Sequence, residues 1–131
     1  MEVLRILIKT TGSNELNSGK GFFNMVLFEG ECDCENFKGK VLPGGVETQY
    51  YYAEGKGRIS ARYMLAGVDK EGKPCKLFII NEGEHDHGFL PTVPKVYTDS
   101  EALRYLEDED LVGYLIFEEQ GLVISICTKE D

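Results

Sequence analysis

The chain has 131 residues, 42% hydrophobic and 28% charged, and its fourteen Lys and Arg against twenty-three Asp and Glu leave a net charge of −9. That describes a single globular domain, residues 1–131, with enough chain to build a core without a disulfide or metal staple. A surface this negative repels phosphate backbones and anionic headgroups, which argues against nucleic acid or a membrane as partner.

Residues 3–8 are dense in branched aliphatics and predict a buried strand. The run is interrupted by Arg5 and leads to no small-residue cleavage site, so it does not read as an export signal. No stretch reaches the roughly 20 apolar residues of a membrane span, and the expected location is the cytoplasm. Residues 10–21 carry Gly12, Ser13, Asn14, Asn17, Ser18 and Gly19 and predict a long loop. Strand character resumes over residues 22–28 and, past Gly30, over 31–34.

Four cysteines are present, at 32, 34, 75 and 127. Cys32-Asp33-Cys34 is too tightly spaced for a comfortable direct disulfide, and none of the four shows zinc-knuckle spacing. Cys75 and Cys127 adjoin apolar runs and read as small core residues.

Pro43-Gly44-Gly45 forces a sharp turn, after which residues 47–52 are aromatic and extended. Two hairpins are expected, one around residues 69–73 and one around residues 118–121. Residues 88–97 hold Pro91 and Pro94 and predict an edge or broken strand. Thr98-Asp99-Ser100-Glu101 fits a capping box opening a short helix near residues 99–106. About eight short strands with one brief helix make an all-β domain. A single open sheet of that size would expose long edges, so a small antiparallel β-barrel is expected.

Pro43-Gly44-Gly45-Val46-Glu47-Thr48-Gln49 is followed by Ala61-Arg62-Tyr63, Asn81-Glu82-Gly83, Pro94 and Leu111-Val112-Gly113. This order resembles the family of domain-of-unknown-function proteins numbered 3237, also called uncharacterised protein family 0311. The resemblance implies a small antiparallel β-barrel and brings no biochemical activity with it. Glu47 stands where that family usually has Asp, and Thr48 where it often has Trp. Leu103, Tyr105 and Glu107 stand where many members show Tyr, Trp and Asn.

Glu47, Gln49 and Tyr51 alternate along an extended segment and share a face. On the following strand Ile59, Ala61, Tyr63 and Leu65 form a core-like face, opposite Arg58, Ser60, Arg62 and Met64. If Arg62 turns inward, Glu47 is its natural partner. A buried pair with Gln49 and Asn81 nearby would hold an anionic or carbonyl-bearing small molecule. Glu47, Arg62 and Tyr63 are then the catalytic candidates, and Gln49, Asn81 and Tyr51 the ligand-binding ones. In the alternative, Glu47 and Arg62 pair on the surface and Gln49 satisfies backbone groups at the turn.

His85-Asp86-His87 sits among Gly83, Glu84 and Gly88, a loop composition, so no metal site is expected. No phosphate loop or nucleophile elbow is present, and no cofactor is expected. Tyr50-Tyr51-Tyr52 places rings on both sides of a strand, the outward ones offering a homodimer patch. Three functions remain open. They are a small-molecule binder using the barrel interior or mouth, a cofactor-independent acid–base enzyme, and a protein-interaction barrel.

Overall fold

The computed structural model describes residues 1–129. Among these residues nine strands are joined in one antiparallel sheet. β1 (Glu2–Ser18) opens with Leu4, Ile6 and Ile8 buried at alternate positions. β2 (Gly21–Asp33) turns Phe28 and Cys32 to the same interior. β3 (Phe37–Val41) and β4 (Val46–Ala53) follow, separated by the Pro43-Gly44-Gly45 corner, where Gly44 takes φ +111°. β5 (Lys56–Asp69) and β6 (Pro74–Asp86) form the longest hairpin, and β7 (Val93–Thr98) lies beside β6. β8 (Leu111–Glu118) and β9 (Gly121–Thr128) make the last hairpin.

The sheet runs β7-β6-β5-β3-β2-β1-β9-β8, with β4 also bridging β2 and β5. β3 pairs with residues 65–69 of β5 and β4 with its earlier part, so the two short strands share one stave end to end. Closure comes from Thr92 and Gly113, whose backbone groups exchange two hydrogen bonds of 2.8 and 2.9 Å. The result is a barrel of about eight staves, as the edge argument requires. Its closed half is filled by Leu4, Ile6, Phe37, Leu65, Leu77, Ile79, Val96 and Ile126, all 2% exposed or less. Each contributes about 1.5–3 kcal/mol of hydrophobic stabilisation.

Three local expectations are corrected. Residues 10–18 are strand, not loop, because they pair with residues 21–28, in unbroken register from Gly12 opposite Leu27 to Ser18 opposite Gly21. That ladder overrides their loop-like composition, and the shift between Thr10 and Gly12 absorbs the irregularity as a bulge. The short helix expected near residues 99–106 forms only as a 3-10 turn at Arg104–Glu107. Its flanks are tied elsewhere: Ser100 Oγ donates to Asp69 at 2.7 Å, and Glu107 accepts from the Thr98 amide at 3.0 Å. Thr98 does not close a capping box. Its hydroxyl donates to the Lys76 carbonyl and accepts from the Ser100 amide. Cys127 lies on the outer face, next in sequence to the inward Ile126, and is only partly buried. No helix among the described residues is long and apolar enough to cross a membrane.

Candidate functional site

Registered neighbours in an antiparallel sheet share a face, so the ladders fix which side chains meet inside. Val26 pairs with Glu47, Glu47 with Ala61, and Ala61 with Asn81. One step towards the open end, Asn24 pairs with Gln49, Gln49 with Ile59 and Ile59 with Gly83, beside which Thr92 packs. A further step along, Phe22 pairs with Tyr51, Tyr51 with Gly57 and Gly57 with His85. These rows are stacked levels of one inner wall.

The lower levels are polar. Gln49 Nε2 donates to Glu47 Oε1 at 2.6 Å. Burial pushes the Glu47 carboxyl above its ordinary value, and the Gln49 hydrogen bond pulls partly the other way. Tyr63 is 2% exposed and packs edge-on against Phe28 at 5.3 Å. Burial raises its phenol, with the charges of Cys32 and Glu47 adding to the effect. Asn24 Oδ1, Tyr63 Oη, Asn81 Oδ1 and Thr92 Oγ1 are buried with no hydrogen-bond partner among the described residues. An unsatisfied buried group costs about 1–3 kcal/mol, and folded proteins keep few of them without a reason.

The upper level is aromatic. Phe22 stacks with Tyr51 at 6.3 Å, Tyr51 meets His85 edge-on at 5.2 Å, and His85 meets Phe89 edge-on at 5.0 Å. Phe89 then reaches Phe117 at 6.2 Å, whose ring is 71% exposed. His85 is held by the Gly55 carbonyl 3.1 Å from Nδ1. The mouth is therefore an aromatic rim above a polar wall, and the absence of side chains at Gly57, Gly83 and Gly113 lets Tyr51 and Thr92 pack closely there.

The structure brings Glu47, Gln49, Tyr51, Tyr63 and Asn81 onto this wall and leaves Arg62 out. Arg62 pairs with Val46 and Ile80 on the outer face and is exposed. The inward Glu47–Arg62 pair is thus corrected by register, since adjacent residues on a strand point to opposite sides. The outward alternative for Glu47 fails for the same reason. His87 leaves the strand with φ 56°, bonding Asp86, so His85 and His87 do not share a face as paired ligands would.

Asn24, Thr92, Phe22, His85, Phe89 and Phe117 were not expected in the site. Asn24 had a signal, as a polar residue in the alternating set Phe22, Val26 and Phe28. His85 was hidden by its glycine-rich neighbours, and Thr92 by its place between two prolines.

Solved structures share this architecture. A protein of unknown function from Clostridium acetobutylicum superposes with TM-score 0.83 at 21% identity, over 99% of this chain and 98% of that one. A β-barrel-like protein from Acinetobacter baumannii gives 0.78 at 15% identity, over 97% and 92%. The fold is that of the small β-barrel-like proteins. In sequence, no family model matches. A UPF0311 protein of Clostridium acetobutylicum is 34% identical over 74 residues, 56% of this chain. The match spans 40% of that relative's length. The likeness to uncharacterised protein family 0311 thus rests on this partial match in sequence, and the solved structures add the barrel fold alone.

Proposed function

We propose that this protein binds a small molecule in the mouth of the barrel, with its body against the aromatic rim and its polar head on the wall below. The observation that carries this is the group of four unpartnered buried polar atoms, Asn24 Oδ1, Tyr63 Oη, Asn81 Oδ1 and Thr92 Oγ1. These atoms are closed off from solvent, so a ligand reaches them as the rim side chains give way, and one that satisfies them recovers the free energy that their burial costs. Two are amide oxygens, which only accept, and Glu47 adds carboxyl oxygens on the same wall. With Arg62 outside, the anionic ligand considered from sequence loses its counter-charge. The chemistry favours an uncharged, hydroxyl-bearing ring compound that donates hydrogen bonds and stacks on Tyr51, His85 and Phe89.

The test is a thermal-shift screen of hydroxylated aromatics against matched compounds lacking the hydroxyls. A ligand at a hundred times its Kd adds about 2.7 kcal/mol, so hits stand out clearly. Stabilisation that persists in the double variant Asn81→Ala, Thr92→Val overturns the reading.

One observation favours a second reading. A carboxyl raised by burial beside a phenol is suited to acid–base catalysis, with Glu47 moving the proton and Tyr63 bonding the substrate. Glu47→Gln separates the two: a catalyst loses turnover and keeps binding.

A further inference from the structure

At the end of β2 remote from the aromatic rim, Cys32 and Cys34 point the same way and their Sγ atoms lie 3.5 Å apart. The two-residue spacing strains a direct bond between them, which suits a disulfide that is readily reduced again rather than a permanent one. The two sulfurs are not equivalent. Cys32 is 2% exposed, while Cys34 lies one residue beyond the strand and is half-buried. Asn36 pins the turn by donating to the Val3 carbonyl at 3.0 Å, and the Cys34 amide bonds the Phe37 carbonyl at 3.1 Å.

We propose that Cys32 and Cys34 form a reversible redox pair, with Cys34 the attacking thiol and Cys32 the resolving one, acting on low-molecular-weight disulfides. The Cys34 thiolate attacks one sulfur of the reagent, the reagent's S–S bond breaks, and one thiolate leaves and takes up a proton. The Cys32 thiol gives its proton to solvent and attacks Sγ of Cys34. The mixed disulfide breaks and the second reagent thiol departs. Two cysteine thiols are oxidised and one disulfide is reduced to two thiols, so electrons and protons balance.

The division of roles has a physical basis. The hydrogen bond shared with Cys32 pulls the Cys34 thiol down, burial pushes the other way, and backbone groups of Phe37, Arg5 and Asn36 add to the lowering. Cys32, sharing that hydrogen bond and buried, is pushed up. Cys34 is therefore the more readily ionised of the two and, being less buried, the one a reagent reaches first. Asp33 and Glu35 flank the pair and disfavour an anionic reagent, so an uncharged disulfide is the better probe.

The experiment treats the folded protein with hydroxyethyl disulfide at pH 7, quenches with acid and maps tryptic peptides by mass. Residues 21–38 form one peptide holding Cys32 and Cys34 and neither of the other cysteines. The expected result is loss of two hydrogens from that peptide, reversed by dithiothreitol. Cys32→Ser should trap a hydroxyethylthio adduct on Cys34, and Cys34→Ser should leave Cys32 unmodified. A wild-type peptide that stays reduced, or that accumulates an adduct without an internal bond, overturns the proposal. The wild-type result decides even if a variant fails to fold.

Discussion

Glu47 stands opposite Ala61 in the β4–β5 ladder, and Arg62 stands opposite Val46. Acid and guanidinium therefore lie on opposite faces of one wall. The carboxyl is left among the uncharged polar groups Gln49, Asn24, Asn81 and Tyr63, and that setting defines the chemistry of the mouth.

Arg62→Ala should accordingly be almost silent. An exposed side chain on the outer face contributes within about 0.5 kcal/mol. Urea unfolding should give the same midpoint as wild type, and any ligand found by screening should bind with unchanged Kd.

Glu47→Gln should raise the melting temperature at neutral pH. Burial raises the carboxyl in the folded state, so folding favours its protonated form. Stability then falls as pH rises from the ordinary value of 4.5 through the raised one, and the uncharged amide escapes that loss. Melting curves across the pH range should show the advantage of the variant closing below pH 4.5.

Tyr63→Phe and Thr92→Val remove unpartnered hydroxyls while nearly preserving shape. Each should leave stability unchanged or raise it, by up to about 1–3 kcal/mol, because a buried group without a partner is lost and no hydrogen bond is. The same variants should weaken ligand binding. Denaturant midpoints and thermal shifts on one set of samples read both effects.

Gly113→Ala should destabilise the closure of the barrel. A Cβ there would lie 2.3 Å from Thr92 Oγ1, at the bridge that joins β8 to the segment before β7. Overpacking of this kind costs about 1–3 kcal/mol. Thr92→Ala removes the clashing atom, so in that background the same substitution should cost clearly less, a coupling that a double-mutant cycle measures.

Asp69 links acid stability to the loop that replaces the expected helix. Its carboxylate accepts from Ser100 Oγ and from the amides of Glu71 and Lys73, which hold it below the ordinary carboxylate range. A lowered value means stability that is present above 3.8 and lost as pH falls through the folded value. Asp69→Ala should unfold at lower temperature than wild type at neutral pH, and the gap should narrow in acid.

What the sequence revealed was local. Branched aliphatics at residues 3–8, the Pro43-Gly44-Gly45 corner and the hairpins near residues 69–73 and 118–121 carry their own signatures. Residues 10–18 did not, because their strand exists only through pairing with β2. The helix failed as an expectation for a similar reason, since Asp69 and Lys76 reach in from distant positions to take the hydroxyls of Ser100 and Thr98. Within the site, alternation was enough to group Glu47, Gln49 and Tyr51, and would have flagged Asn24. The facing of Thr92 is set by closure onto Gly113, a pairing that no local pattern announces.

The most direct measurement is nitrogen-15 NMR of the side-chain amides during titration with a dihydroxybenzene, resorcinol for example. Binding in the mouth gives saturable shifts of the Asn24, Asn81 and Gln49 amide groups, with the backbone amides of Glu47 and Tyr51 following at the same Kd. Shifts confined to the outer groove of about 580 Å³ lined by Thr48, Tyr50, Arg58, Ser60 and Glu82 would contradict it.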